Sequence, residues 1–417
     1  MRATDRAERA YVSTADPVAE RQPAAIAEAP RHGTDNRDLR EQIKVLESRA
    51  LTLVHSAVMN SGTTAAAHRS LAAVDAEITS LRAELAWQRT EARAAVRPRP
   101  LSAREPRQGA AVPEAVRPVS DRDGLVSVII ATYNMGGYLT QAVESVLAQS
   151  YPELELLIVD DGSTDDTPDI VRQWQSDPRV RVLRQPNAGQ ARAKNAGVRL
   201  SRGAFVAFLD ADDVWLPDKL ASQMPLFEGR PDVGVVYSEY EKMDGAGRPL
   251  PRAPSPLHRG RVSGALLIEN FVGFPTAVVR RALLERYGAF DENLGMGIDY
   301  ELWLRLSAHC EFDFVARATA RYRVWGGQMS GNYRERYRCG IRIMQNFLAK
   351  HRDTVDPAVV RSAWAHTYTG RGDVTLWRGR DRRGALRDYA RALSYQPWYW
   401  PAWRALLRSI VTARAPA

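Results

Sequence analysis

Cysteine is almost missing from this chain: its 417 residues include only Cys310 and Cys339. Two isolated cysteines cannot build a zinc site or a disulfide framework. They read as reduced thiols of a cytoplasmic protein. Long apolar runs are missing as well. No stretch reaches the roughly 18 apolar residues of a membrane span, so no transmembrane helix is expected. Residues 1–10 alternate charge with alanine and lack an apolar h-region, which excludes a secretory signal there. What remains is a globular balance, with 45% hydrophobic and 26% charged residues. The length suggests about two or three domains.

The formal charge is +9. Such a surplus can attract nucleic acid, an anionic membrane surface or phosphate-bearing substrates. Much of it sits in the arginine-rich segments 97–107 and 378–387, away from the middle of the chain. No nucleic-acid-binding motif accompanies it, so nucleic acid is not an expected partner. Peripheral contact with the inner face of the cell membrane is compatible with it.

Texture divides the chain. Residues 1–37 are rich in Ala, Arg, Glu and Pro without periodicity and read as disordered. Within 38–93, Leu39, Ile43, Leu46, Ala50 and Leu53 recur at spacings of four and three, and Leu71, Val74, Ile78, Leu81 and Leu85 repeat the pattern. That seam predicts a helical hairpin or short coiled coil, offering self-association. Prolines among arginines make 94–123 a linker. Over 124–345, short apolar runs at 126–131, 154–159, 180–183 and 204–209 alternate with helical patterns at 138–149, 167–175 and 190–200. Strand and helix alternating at this pace predict an α/β domain with a parallel sheet and helices on both faces. Residues 346–417 read as helical. Gly384, Ala385, Tyr389, Ala392, Leu393 and Pro397 suggest one tetratricopeptide-like pair, although any Ala/Leu hairpin gives a similar pattern.

Chemistry gathers at the strand ends, where ligands bind in open α/β sheets. Asp210-Ala211-Asp212-Asp213 follows an apolar run directly. Acids so close repel one another, and a divalent cation removes that penalty. The bland alternative is an acidic turn that caps the segment 217–227. Asp160-Asp161-Gly162-Ser163-Thr164-Asp165 ends the second run. Ser163, Thr164 and Asp165 suit a helix cap. Asp160 and Asp161 are not needed for one, and could accept hydrogen bonds from a base or a ribose.

In order along the chain, Val126 to Asn134, Val159 to Asp165, Asn187-Ala188-Gly189 with Asn195-Ala196-Gly197, and Leu209 to Asp213 resemble the family 2 glycosyltransferases. These have the GT-A fold, a Rossmann-like, mostly parallel nucleotide-sugar-binding sheet. The resemblance covers about half the chain, with helical N-terminal and C-terminal extensions outside it. It implies an inverting, metal-dependent transferase using Mn²⁺ or Mg²⁺. The donor would be a nucleotide sugar, most often a UDP-sugar. The acceptor would be a glycan or lipid-linked hydroxyl, in making the bacterial cell envelope.

Position by position, the resemblance places Thr132, Tyr133 and Asn134 along the nucleotide and sets Asp161 against the base. Lys194 stands where many relatives carry Arg. It can contact a phosphate or the base without the planar fork of Arg, and Arg192 could share that task. Asp210, with Ala211 beside it, would meet the ribose or a metal-bound water. Asp212 would ligate the metal. Asp299 falls at the catalytic-base position, with Ile298 where relatives carry a first acid; a helix N-cap is its bland alternative. Arg305 suits a structural carboxylate pair and Trp215 suits packing. Trp325 replaces a frequent His, and would stack on a sugar or cover the donor site.

Two rivals remain. A scaffold with a dead transferase fold would suit the helical flanks, yet the three key acids are all present. A sugar nucleotidyltransferase needs a basic, glycine-rich loop after the first strand. Here Tyr133-Asn134-Met135-Gly136-Gly137-Tyr138 carries no Arg or Lys.

Overall fold

The structure, a computed structural model, describes residues 124–252 and 255–411, together with Glu41, Gln42 and Val45, which are helical. Apart from those three positions, the segments read as disordered, coiled-coil and linker lie outside the described residues.

The first half is a run of parallel strands and crossover helices: β1 (Val126–Thr132), α1 (Gly136–Leu147), β2 (Leu154–Asp160), α2 (Thr167–Arg172), β3 (Val180–Arg184), α3 (Gln190–Leu200) and β4 (Phe205–Asp210). Every residue of β2 is buried, as a strand covered on both faces requires. Successive residues enter opposite layers. Val128, Ile130, Ala207 and Leu209 pack on one face, and Ile129, Val206 and Phe208 pack on the other. Helix α1 adds Leu139, Ala142, Val143 and Val146 to the first layer, one helical stripe at 0% exposure. Burying each of its leucine and valine side chains stabilises by about 1.5–3 kcal/mol. Helix α3 covers the opposite face. It comes close because Gly197 has no side chain; a Cβ there would lie 2.5 Å from Ile129 Cγ2.

The second half adds β5 (Val214–Trp215), α4 (Lys219–Gln223), β6 (Val233–Asp244), β7 (Pro249–Leu250), α5 (Ser263–Ile268), β8 (Val278–Arg280), α6 (Arg281–Tyr287), α7 (Ile298–Ser307) and β9 (Glu311–Val324). Among the described residues there is one nine-stranded sheet, in the order β3-β2-β1-β4-β8-β6-β9-β5 with β7 on β6. β1 to β4 are mutually parallel, β8 is antiparallel to both β4 and β6, and β9 runs parallel to β6.

Four helices follow: α8 (Tyr333–His351), α9 (Pro357–Trp377), α10 (Arg382–Tyr395) and α11 (Trp400–Val411). α8 runs straight through residue 345, where texture alone suggested a boundary. The core does not break there either. Ile343, Phe347, Ala363 and Tyr368 share one buried cluster with Leu266 of α5 and Leu302 of α7. Tyr389 of α10 packs against Gly372 of α9, where a Cβ would lie 2.5 Å from the ring. Cys310 and Cys339 are free and buried. No helix among the described residues is long and apolar enough to cross a membrane.

Candidate active site

The strand order reverses at β1, which has β2 on one side and β4 on the other. Such a switch point opens a crevice at the carboxyl edge. Register brings the acids to it: Thr132 pairs with Asp160, and Ala131 with Asp210.

Two loops are clasped together on the β2 side of this edge. Asn134 has φ 54°, a left-handed conformation that Asn tolerates. Its side-chain oxygen accepts from Thr164 N at 2.8 Å, and its own N–H donates to Ser163 Oγ at 3.0 Å. Asp160 accepts from Ser163 N at 2.9 Å. Asp165, not Ser163 or Thr164, serves the start of α2, accepting from Thr167 N at 3.0 Å. It also accepts from Gly136 N at 3.2 Å, and these bonds hold its carboxyl below the usual range against the opposing effect of burial. Tyr133 stands out from the edge at 45% exposure, while Thr132 is buried.

Asp161 is engaged by protein donors. Its oxygens accept from Gln185 Nε2 at 2.7 Å, Ala188 N at 3.0 Å and Gly189 N at 2.8 Å. It fastens the 185–189 loop at the start of α3, as a buried carboxylate takes the nearest N–H groups.

On the β4 side, the acid cluster divides into three environments. Asp210 pairs with Lys194 Nζ at 2.8 Å, and that lysine is buried over the Phe274 ring at 4.3 Å. Ala211 is itself buried in the core, so only its backbone is left to meet a donor. Asp212 is half-buried and accepts from Trp325 Nε1 at 2.8 Å and Gln328 Nε2 at 3.4 Å. Burial first, and then the neighbouring Asp210, raise its pKa. Asp213 is fully buried and turned inward, accepting from Arg323 N at 2.8 Å. Burial pushes its carboxyl well up, with Asp212 and Asp210 adding to the rise.

Trp325 therefore touches the acid directly, with its ring 5.6 Å from that of Tyr138. An indole N–H is only a donor, so unlike His it cannot hold a cation. Trp215, by contrast, is packing: it is buried, and its Nε1 donates to Pro275 O.

A divalent ion fits this arrangement. A half-buried carboxylate beside a second one is relieved by a cation. Among the described residues, no three His, Cys, Asp or Glu side chains converge. An ion at Asp212 would therefore take one protein carboxylate and complete its shell with phosphate and water, as Mg²⁺ commonly does.

The acceptor side is built on α7. Gly297, with φ 76°, is the N-cap, so Asp299 lies inside the first turn and is not the cap. Asn270 Nδ2 donates to Asp299 Oδ2 at 3.1 Å. Burial raises the Asp299 pKa. Its hydrogen bond from Tyr300 N and the charge of Lys194 oppose the rise, and Asp210 adds to it. Lys194 thus acts electrostatically on both Asp210 and Asp299.

The neighbouring acids differ. Glu292 accepts from Asn195 Nδ2 at 2.9 Å and Arg192 Nε at 3.1 Å, and both bonds lower its pKa. Glu301 is paired with Arg305 at 2.8 Å, whose guanidinium also donates to the carbonyls of Tyr287, Gly288 and Ala289.

Three residues of this site were missed in the sequence. Arg323 is fully buried, donates to Asp212 O at 2.7 Å and Gln141 Oε1 at 2.7 Å, and lies over Tyr138. Its only sequence signal is a cation in a strand two positions before Trp325. Asn270 reaches Asp299 through folding alone and carries no local signal, whereas Gln328, which reaches Asp212, lies with Arg323 and Trp325 in the stretch 322–330 that resembles the family's donor-site closure.

The fold is shared with Staphylococcus aureus TarS. A crystal structure of its residues 1–349 matches with TM-score 0.51 at 18% identity, over 68% of this chain and 88% of that one. The UDP complex of the same protein matches with TM-score 0.50. The α/β domain has the GT-A architecture.

Among curated relatives, the Bacillus subtilis (strain 168) protein TuaG bears a provisional teichuronic acid biosynthesis glycosyltransferase name. It is 42% identical over 218 residues, 50% of this chain and 82% of TuaG. The Escherichia coli chondroitin synthase is 36% identical over 188 residues, 44% of this chain and 26% of that protein. An uncharacterized glycosyltransferase of Rickettsia bellii (strain RML369-C) is 29% identical over 220 residues, 53% of this chain. The chain spans about a third of that protein and of two further rickettsial relatives, 32%, 36% and 36% of their lengths. Residues 127–288 match the profile of Glycosyl transferase family 2. With that profile on the parallel half of the sheet, and with TuaG matched over most of its length, the chain belongs to the family 2 glycosyltransferases.

Proposed function

We propose that this protein is an inverting, metal-dependent glycosyltransferase that moves a sugar from a nucleotide-sugar donor to a hydroxyl of a glycan or lipid-linked acceptor. The observation that carries the reading is the contrast among three acids near the acceptor side. Asp299 has a raised pKa and Glu292 a lowered one, while Glu301 is held in an ion pair. A general base works best with its pKa moved toward the operating pH.

The proton of the acceptor hydroxyl passes to Asp299 as that oxygen attacks C1 of the sugar. Attack opposite to the leaving nucleotide inverts the centre. Asn270 orients the carboxylate, and the charge of Lys194 favours its ionised form against burial. Tyr133 is exposed at the nucleotide end and offers a ring face to a base. Thr132, Asn134 and Asp161 shape that end by holding the loops around it. Asp212 would hold Mn²⁺ or Mg²⁺, and Trp325 and Gln328 orient it. A bound cation would offset charge developing on the diphosphate.

UDP is the first nucleotide to test, since it occupies TarS, which shares the fold. The names of TuaG and chondroitin synthase favour a surface or capsular polysaccharide as the acceptor. A cytoplasmic protein touching the inner membrane face would meet both substrates.

We also place the catalytic unit's start at residue 124, with 1–123 as a separable extension. A chain beginning at Asp121 is expected to fold and to release nucleoside diphosphate from a sugar nucleotide when Mn²⁺ is present. Activity of the full chain with an inactive or insoluble shortened one would put that start in the wrong place. No turnover of any donor by either, both being folded, would favour a scaffold.

A further inference from the structure

Between helices α9 and α10 lies an open cleft of about 350 Å³ lined by Arg371, Gly384, Arg387, Asp388 and Arg391. Three guanidiniums share it with one carboxylate. Asp388 is already committed to Arg371, which binds it with both Nε, at 2.9 Å, and Nη2. Among the described residues, Arg387 and Arg391 have no carboxylate within ion-pair distance. Arg387 makes only a long contact to the Arg383 carbonyl, at 3.4 Å. Arg391 lies over the Tyr368 ring, 4.8 Å from its centre, and Arg371 is at the same distance from that ring.

This layout costs energy when empty of counter-charge, because like charges are brought together around one ring. Part of it is preorganised. Arg387 and Arg391 are four residues apart on α10, so both project from one face. The pair Arg371–Asp388 and the ring of Tyr368 hold the third guanidinium in place. Forked donors converging on a small cleft suit a tetrahedral oxyanion, and arginine binds phosphate oxygens with paired N–H groups. The other acids nearby are occupied: Asp381 accepts from Gly384 N, and Asp373 accepts from Tyr389 Oη at 2.9 Å.

We infer that the α9–α10 cleft is a phosphate-binding site, separate from the donor site, formed by Arg371, Arg387 and Arg391. The phosphate comes either from a soluble phosphorylated molecule or from a lipid headgroup. This site does not depend on the activity proposed for the strand edge.

The test is calorimetric titration of the full chain with inorganic phosphate in metal-free buffer, repeated with R387Q, with R387Q/R391Q and with K194M. Loss of a charge-assisted contact should weaken binding by at least about tenfold in R387Q and further in the double variant. The K194M chain should bind as wild type, and added salt should weaken all binding. R387Q keeps the result readable should the double variant misfold, because its side chain supports no packing beyond that long contact. Sedimentation with phosphatidylglycerol and phosphatidylcholine vesicles separates the sources. Binding to the anionic vesicles that R387Q/R391Q loses supports the site with a lipid phosphate. Phosphate binding that R387Q weakens, without vesicle binding, supports it with a soluble one. Phosphate affinity unchanged in R387Q and in a folded double variant, or lost in K194M alone, overturns the assignment.

Discussion

Replacing Asp299 by Asn is expected to lower sugar transfer by about 10²–10⁴-fold while leaving nucleotide affinity nearly unchanged. In the proposed reaction the base acts on the acceptor oxygen, and its side chain is held on α7 by Asn270, apart from the clasped loops after β1 and β2 proposed to meet the nucleotide. Two further acids of the acceptor side, Glu292 and Glu301, set the controls. Glu292 is tied to Asn195 and Arg192, and Glu301 to Arg305. E292Q and E301Q should therefore keep a rate far above that of D299N, although E301Q also frees Arg305 and should cost some stability.

The pH profile carries a second signature. The pKa of Asp299 is raised, chiefly by burial. The base form is the ionised one, so the rate should fall as pH drops through that raised pKa. This acid limb should lie above the usual value of an aspartate, and it should vanish from the residual activity of D299N. Near wild-type transfer in D299N with a collapse in E292Q would mean that the base is Glu292.

Asp212→Asn is expected to remove most of the metal-dependent part of donor binding. An amide can still accept from Trp325 and Gln328, so the loop between β9 and α8 should keep its place. It carries no charge, however, and a hard divalent cation bound mainly through this one carboxylate loses its anchor. Calorimetry with a UDP-sugar and Mn²⁺ reads the effect directly. Affinity should fall toward the value that the wild-type chain shows without metal. Equal affinity in the two proteins with Mn²⁺ would remove Asp212 from the metal's shell.

Much of this was legible from local pattern. The apolar runs of β1, β2 and β4 are strands buried on both faces, and that burial is what makes a run continuous rather than alternating. The acids directly after them had to fall at the carboxyl edge. Arg305 pairs with a carboxylate as its helical spacing from Glu301 suggests. What was hidden depends on contacts between distant segments. Arg323 is separated from Gln141 by most of the domain, yet it joins α1, the acid turn and β9 in one buried knot. Asp161 accepts three bonds from the 185–189 loop, an engagement that no local pattern shows. The continuity of the core past residue 345 was invisible for a similar reason. Helix α8 packs on α7, the helix of Asp299, and a change in residue texture says nothing about which helix shares a core.

The central claim, sugar transfer with inversion at this strand edge, is tested most directly by proton NMR of the newly formed anomeric centre. The purified full chain would be given an α-linked UDP-sugar, Mn²⁺ and a glycan acceptor, and early time points would be read before any free sugar equilibrates. The account predicts UDP release together with a product of β configuration, both greatly reduced in D299N. A product that keeps the α configuration would contradict it.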